Sequence, residues 1–288
     1  MPAPRLAVIG VEFLDFLVDA SPPPPATPAS ADHGFQPMPW QWRFDTVFSL
    51  NAVSDTIATI RIQDEAEAQT MTQRGHNPLS EYNGFARKEG YFSIFQQRAQ
   101  ENATNLVARP QALFLAGGKD SDSTERLRAI LDRMARDRTE VHIAIYPYHV
   151  QLMAMFDEAG LSAAMEEWKR LLVREADRAR ARHDGARIMV WDFSGYGSLQ
   201  CERIPAANDR RGTTRWYWEG GHFKAALGDL MLERMLSGEQ GFGFALAADN
   251  LAHNARRIAG EYAQCSGAYP EVFASARVLI DRAREARR

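Results

Sequence analysis

The sequence describes a medium-sized, weakly acidic chain that is able to fold around a large core. It has 288 residues, 45% of them hydrophobic, and a formal net charge of −3, which gives no electrostatic reason to expect nucleic acid or an anionic membrane surface as a partner. The only two cysteines, Cys201 and Cys265, are too few for a disulfide framework or a clustered metal site, and we expect free thiols, with a single bridge as the alternative.

The first predicted element is a core strand. Arg5–Val11 is a short aliphatic and β-branched run, which is typical of a buried parallel strand. Three acidic residues, Glu12, Asp15 and Asp19, then interrupt the apolar positions. This pattern argues against a signal peptide or a membrane span at the start of the chain.

A proline-rich loop and two helices are predicted next. Ser21–Ser30 contains four consecutive prolines, which impose extended geometry, and we expect a surface loop over residues 20–42. Apolar residues at helical spacing predict helices over Phe44–Ile62 and Gly84–Asn102. We expect the two helices to form an insertion over residues 43–105.

A serine follows the next predicted strand and has two interpretations. Gln111–Gly118 predicts a strand that ends in a glycine pair, and Glu125–Met134 predicts the following helix. Ser121 lies between them, where a nucleophilic serine would follow a strand. The same position suits a helix N-cap, and capping is the interpretation that we favour.

Strands and helices alternate along the middle of the chain. Strands are predicted at Val141–Tyr146 and Arg187–Trp191, with helices across Val150–His183 and another helix beginning near Phe223. This order predicts a parallel sheet with right-handed crossovers. Functional residues in such sheets collect beyond the carboxyl ends of the strands.

Polar side chains follow each of these two strands. Tyr146, Tyr148 and His149 come at the end of the first, and Asp192 and Ser194 follow the second. We expect them to meet at one edge of the sheet and to contact substrate. Each group also has a structural alternative, in which His149 begins the next helix and Asp192 satisfies backbone donors after its strand.

The loop before the helix near Phe223 is the strongest candidate for chemistry. Glu219 precedes His222 by three residues, so its carboxylate can bond imidazole Nδ1 and leave Nε2 as a general base. The alternative is a histidine that caps the helix beside a solvated glutamate. Trp218, in the aromatic stretch Trp216–Trp218, is a candidate for substrate binding.

Several of these segments together resemble the SGNH hydrolases, or GDSL-type esterases. They are most similar to SGNH-like proteins of bacterial surface-polysaccharide loci, with Glu219 in the place of the usual aspartate. The similar segments are, in chain order, Arg5–Phe16, Tyr146–Leu161, Glu166–Val173, Val190–Tyr196 and Trp218–Leu230. The resemblance implies a flavodoxin-like, three-layer α/β fold with a parallel sheet over residues 1–240. Residues 241–288 are expected to form packing helices with a basic, solvated side.

The resemblance also implies a function, which is acyl transfer on carbohydrate esters, chiefly acetyl esters. A serine would attack the ester carbonyl, His222 would take its proton and Glu219 would orient the imidazole. No metal is expected, because the histidines lack a ligand spacing such as H-x-x-x-H. We expect no other cofactor, no nucleic acid partner and no membrane-spanning segment.

The chain departs from the SGNH pattern at its start. In the resembling proteins a strand like Arg5–Val11 is the third of the sheet and follows the serine block, which an active enzyme would carry upstream of Met1. Gly10–Glu12 also stands where they have Gly-x-Asn-Asp. The nucleophile is therefore unassigned, and the alternative function is a non-catalytic carbohydrate-binding or assembly module. The resemblance implies a periplasmic or membrane-associated protein, the lack of a signal favours the cytoplasm, and the oligomeric state stays open.

Overall fold

The computed structural model describes residues 3–21, 57, 59–62, 65, 75, 77–238 and 241–287. The predicted loop at 20–42 and the predicted helix Phe44–Ile62 lie outside this part of the chain, apart from residues 20 and 21 and the helical residues 57 and 59–62. The chain divides into two compact units. One contains Met1–Ser21 and Tyr91–Arg288, and the other contains Pro22–Gly90.

Strands and helices alternate through the first unit. Its strands are β1 (Leu6–Val11), β2 (Val18–Asp19), β3 (Gln111–Ala112), β4 (Glu140–Ile145), β5 (Ile188–Asp192) and β6 (Phe244–Leu246). Helix α1 (Glu81–Glu89) belongs to the second unit. The helices of the first unit are α2 (Tyr91–Val107), α3 (Asp122–Arg136), α4 (Val150–Glu158), α5 (Ser162–Arg182), α6 (Ala225–Ser237), α7 (Leu251–Ala268) and α8 (Pro270–Arg287), with a short 3₁₀ helix at Leu14–Phe16.

The main sheet is mixed, with the strand order β1-β4-β5-β6. Strands β1, β4 and β5 are parallel, with Val11 opposite Ile145 and Ile145 opposite Asp192. This confirms the predicted α/β class and the presence of three parallel strands. The expectation that the first strand is buried was wrong, because β1 lies at the edge of the sheet and exposes Leu6 and Val8. The expectation of a purely parallel sheet was wrong, because β6 pairs antiparallel to β5, with Phe244 opposite Asp192. An antiparallel strand needs no crossover helix, so a three-residue segment of the C-terminal region can close this edge.

Alternate residues of the central strands face opposite helical layers, as the two-residue period of a strand requires. Val141, Ile143 and Ile145 belong to the large core, which includes residues of α3, α4 and α5. Ala144 points the other way and joins a smaller cluster with Trp191, Phe193, Met231 and Met235, the last two on α6. Helices therefore pack on both faces of the sheet, and its carboxyl edge stays available to loops.

Two predicted elements differ in detail from the structure. The helix expected over Gly84–Asn102 is interrupted at Gly90, whose φ of 81° suits a residue without Cβ. The strand expected over Gln111–Gly118 is only the two-residue β3, paired with β2.

Ser121 caps α3, since its Oγ accepts from the Thr124 N–H at 3.3 Å, which confirms the capping interpretation.

The expectation of free cysteines was wrong. Cys201 and Cys265 form a disulfide with Cα atoms 6.1 Å apart, a normal separation for such a bond. The bond connects the loop after β5 to α7, and the sequence separation of 64 positions hides this proximity in the sequence. Among the helices that the structure describes, none is long and apolar enough to cross a membrane.

Candidate functional site

His222 lies in a tight turn that two backbone hydrogen bonds close. The Trp218 N–H donates to His222 O at 2.8 Å, and the Lys224 N–H donates to Trp216 O at 2.7 Å. Gly220 and Gly221 occupy the turn between Glu219 and His222. The turn brings the carboxylate and the imidazole of the i, i+3 pair onto the same side of the loop.

Glu219 and His222 form the contact that their spacing predicts. Nδ1 of His222 bonds Glu219 Oε1, and Glu219 Oε2 accepts from the Gly221 N–H at 3.0 Å. The Glu219 side chain is only 2% exposed, whereas that of His222 is 53% exposed. The bond to Glu219 raises the pKa of His222 against the opposing effect of burial, and the charges of Glu219 and Glu12 add to the increase. Because Nδ1 is taken by the carboxylate, acid–base chemistry with a substrate falls to Nε2.

Residues at the ends of β1 and β4 add to the surroundings of the dyad. Burial and then the charge of Asp15 raise the pKa of Glu12, and the charges of His222 and Glu219 also act on it. The Tyr146 ring covers Gly10, where a Cβ would lie 2.8 Å from the tyrosine hydroxyl oxygen. The sequence did not mark Glu12 as a site residue. The signal for it is its position directly after a parallel strand.

Tyr148 and His149 are buried beneath this edge. His149 Nδ1 accepts from the Gln151 N–H at 3.1 Å, and Nε2 lies 2.7 Å from Glu202 O. Burial lowers the pKa of His149 to about 4. The Tyr148 hydroxyl accepts from the Phe13 N–H at 2.7 Å. Both side chains thus bind the main chain, which favours the helix-capping alternative for His149 over substrate contact.

Asp192 and Ser194 belong to a buried polar cluster at the end of β5. Asp192 Oδ2 lies 3.1 Å from Lys169 Nζ and accepts from Asn254 Nδ2 at 2.6 Å, and its Oδ1 accepts from the Ser194 hydroxyl at 2.6 Å. Burial alone would raise the pKa of Asp192, but Lys169 and these hydrogen bonds lower it overall. These contacts favour the structural alternative for both residues, although the two also border a cavity of about 390 Å³.

Trp218 is partly buried in a stack of aromatic rings and a cation. Its ring lies 6.2 Å from the Tyr91 ring at an interplanar angle of 11°. Lys224 Nζ lies 4.4 Å from the Tyr91 ring centroid and 4.5 Å from that of Trp218, and it donates to the Tyr91 hydroxyl at 2.7 Å. Burial lowers the pKa of Lys224 to about 8. This stack fastens the dyad loop to α2, and the sequence did not mark Lys224.

The described residues contain no group of three or more histidine, cysteine, aspartate or glutamate side chains that could hold a metal ion. Neither protein-family models nor curated proteins nor solved structures match the chain. Its function is therefore argued from the chemistry of the site itself.

Proposed function

We propose that the protein is an SGNH-like ester hydrolase or acyl transferase that acts on carbohydrate esters, with His222 as its general base. The observation that supports this proposal is the Glu219–His222 pair, in which a buried carboxylate holds the imidazole of a half-exposed histidine. The pair lies beside residues that follow β1 and β4, and ligand sites of open α/β sheets form at the carboxyl ends of the strands.

In the proposed reaction, His222 first accepts a proton and later donates it to the leaving group. His222 Nε2 takes the proton of an attacking hydroxyl as its oxygen bonds the acyl carbon. It then returns that proton to the departing alcohol as the ester C–O bond breaks. The imidazolium that forms between these steps is stabilised by the Glu219 carboxylate and by the negative field of Glu12.

The attacking hydroxyl is left unassigned. Ser121 is occupied as a helix cap, and the Ser194 hydroxyl donates to a carboxylate inside a buried cluster, so neither serine suits the role. Labelling with a fluorophosphonate followed by peptide mapping would identify an activated serine elsewhere in the chain. In a hydrolase or transferase without such a serine, water or the acceptor hydroxyl would take the attacking role.

The test compares ester turnover by matched histidine variants. We expect His222→Ala to lower kcat/KM for 4-nitrophenyl acetate and for acetylated xylo-oligosaccharides by about 10²- to 10⁴-fold, the usual contribution of a general base. Glu219→Gln should lower it by a smaller factor. The control is His253→Ala, because His253 is exposed on α7 and packs against Phe244. Turnover that survives in both dyad variants would contradict the proposal.

The second candidate function is a non-catalytic carbohydrate-binding module. It is favoured by the contacts of Ser121 and Ser194, because the first caps a helix and the second donates to a buried carboxylate. This function predicts saturable glycan binding that weakens in Trp218→Ala, together with no turnover above the rate in buffer. Labelling of any serine by the fluorophosphonate would contradict it.

A further inference from the structure

A cavity of about 480 Å³ borders the first turn of α4, and His149 at the start of this helix bonds the dyad loop through its N–H. Its walls come from the start of α2, the loop at residues 203–206 and the first turns of α8, and its inner end is at the first turn of α4. This volume is within the range of small-molecule sites. None of the residues discussed above as dyad or cluster members lines it.

A buried amide without a partner faces this cavity. Gln151 is only 3% exposed, and its side chain borders the cavity. In the described part of the chain, its amide group makes no hydrogen bond, although its backbone N–H donates to His149 Nδ1. The amide is not among the fully buried unpartnered groups of the described residues, so it is open to water in the cavity and available to a ligand. Its nitrogen can donate twice and its oxygen can accept, so a ligand with hydroxyl groups would satisfy both atoms.

The rest of the lining combines apolar surface with neutral polar groups. Phe92 and Tyr269 present aromatic rings, and Gln96 and Ser275 add a second amide and a hydroxyl. Two charged residues, Arg203 and Glu271, also line the cavity, and their opposite signs leave it without net charge. Such a lining suits a neutral ligand that has both an apolar face and several hydroxyl groups.

The disulfide holds two walls of this cavity in place. Cys201 directly precedes the loop at 203–206, and its partner Cys265 accepts a hydrogen bond from the Tyr269 N–H at 2.9 Å. Walls that are fixed before binding lower the entropy cost of ordering the site around a ligand. The cavity is thus a preformed feature of the fold.

Gln151 lies between the cavity and the backbone of the dyad loop. A Cβ at Gly220 would lie 3.8 Å from Gln151 Oε1 and 3.3 Å from Leu152 Cβ, and Gly220 follows Glu219 directly. We propose that this cavity binds a neutral pyranose unit, with Gln151 bonding its hydroxyl groups and Phe92 and Tyr269 packing against its C–H face. As the site for the glycan part of an ester substrate, it rests on the proposed function, but sugar binding itself can be measured without turnover.

The experiment is a titration of the whole chain with neutral sugars, followed by saturation-transfer NMR. The probes are glucose, galactose, mannose, N-acetylglucosamine and cellobiose. We expect at least one of them to bind saturably, and Gln151→Leu to weaken that binding about tenfold, because the substitution keeps the side-chain volume and removes the amide. Gln264→Leu, on the exposed side of α7, is the matched control and should leave binding unchanged.

A second variant keeps the test valid if Gln151→Leu fails to fold. Ser275→Phe on α8 should fill the cavity from a partly exposed position and abolish binding. The proposal is overturned if none of the five sugars binds or if binding survives both variants. Sugar binding without ester turnover would leave this site standing and remove the proposed esterase function.

Discussion

His149 and His222 are joined through one backbone segment, yet their imidazoles are shifted in opposite directions. The His149 N–H donates to Gly220 O at 3.0 Å, two residues before His222. Burial lowers the pKa of His149 to about 4, whereas the bond to Glu219 raises the pKa of His222. The first histidine therefore stays neutral as a structural group, and the second takes up a proton more readily than an ordinary imidazole.

The loss of ester turnover at low pH, the acid limb of the pH–activity profile, should depend on Glu219. The base form of His222 exists only above its pKa, so a raised pKa moves the loss of activity to higher pH. In Glu219→Gln the pKa should fall toward the ordinary value of about 6.5, and the acid limb should move to lower pH while the rate drops. NMR titration of the His222 ring measures this pKa even without a substrate, and the same pKa in both proteins would contradict the assignment.

The same pair has a defined effect on stability. Because the folded pKa of His222 lies above its unfolded value, its contribution is complete below a pH of about 6.5 and is lost as the pH rises through the folded pKa. Chemical denaturation at pH 5 and pH 9 measures the stability at pH 5 minus that at pH 9, a difference to which His149 contributes equally in the unaltered protein and in Glu219→Gln. In Glu219→Gln the difference should become smaller, and an unchanged difference would assign it to other groups.

His149 should make the protein sensitive to mild acid. Its folded pKa of about 4 lies below the unfolded value of about 6.5, so the unfolded chain takes up a proton first. The free energy of unfolding should therefore fall by on the order of 3 kcal/mol as the pH drops from about 6.5 to about 4. His149→Asn keeps a capping side chain and should flatten this slope. His253→Asn, the exposed control, should leave the slope as it is.

The disulfide should contribute substantially to stability. Replacing Cys201 and Cys265 together by serine is expected to lower the free energy of unfolding by about 2–5 kcal/mol, since the bond restricts the unfolded chain. Reductant should destabilise the unaltered protein by a similar amount and have no effect on the double variant. Alkylation of two thiols in the folded protein without reductant would show that the bond does not form.

Removing only one partner of the buried Lys169–Asp192 ion pair should lower the stability of the fold. The side chains of Lys169 and Asp192 are 1% and 0% exposed, so Lys169→Met leaves an unpaired buried carboxylate and should cost about 3–5 kcal/mol of unfolding free energy. Adding Asp192→Asn should restore part of that loss in a double-mutant cycle. Lys119→Met, at an exposed position, is the control. Additive effects of the two substitutions would contradict a direct pair.

Elements with a short-range signal were predicted well. The apolar runs of β1, β4 and β5 mark strands. Strands β4 and β5 are buried as expected, whereas the edge strand β1 exposes Leu6 and Val8. The Glu219–His222 contact is equally local, since a three-residue turn suffices to form it. Ser121 as a cap follows the same logic, because a helix N-terminus needs a nearby side-chain acceptor.

Features that depend on distant partners were decided only by the tertiary structure. Three such features are the antiparallel pairing of β6, the bond between Cys201 and Cys265 and the complete burial of His149. Each depends on segments that are far apart in the chain. The cavity lined by Gln151 likewise needs walls from four separate segments. Residue type and spacing determine local conformation and periodicity, but burial and long-range pairing depend on how the whole chain packs, and this packing decided which polar residues support the fold and which face a ligand.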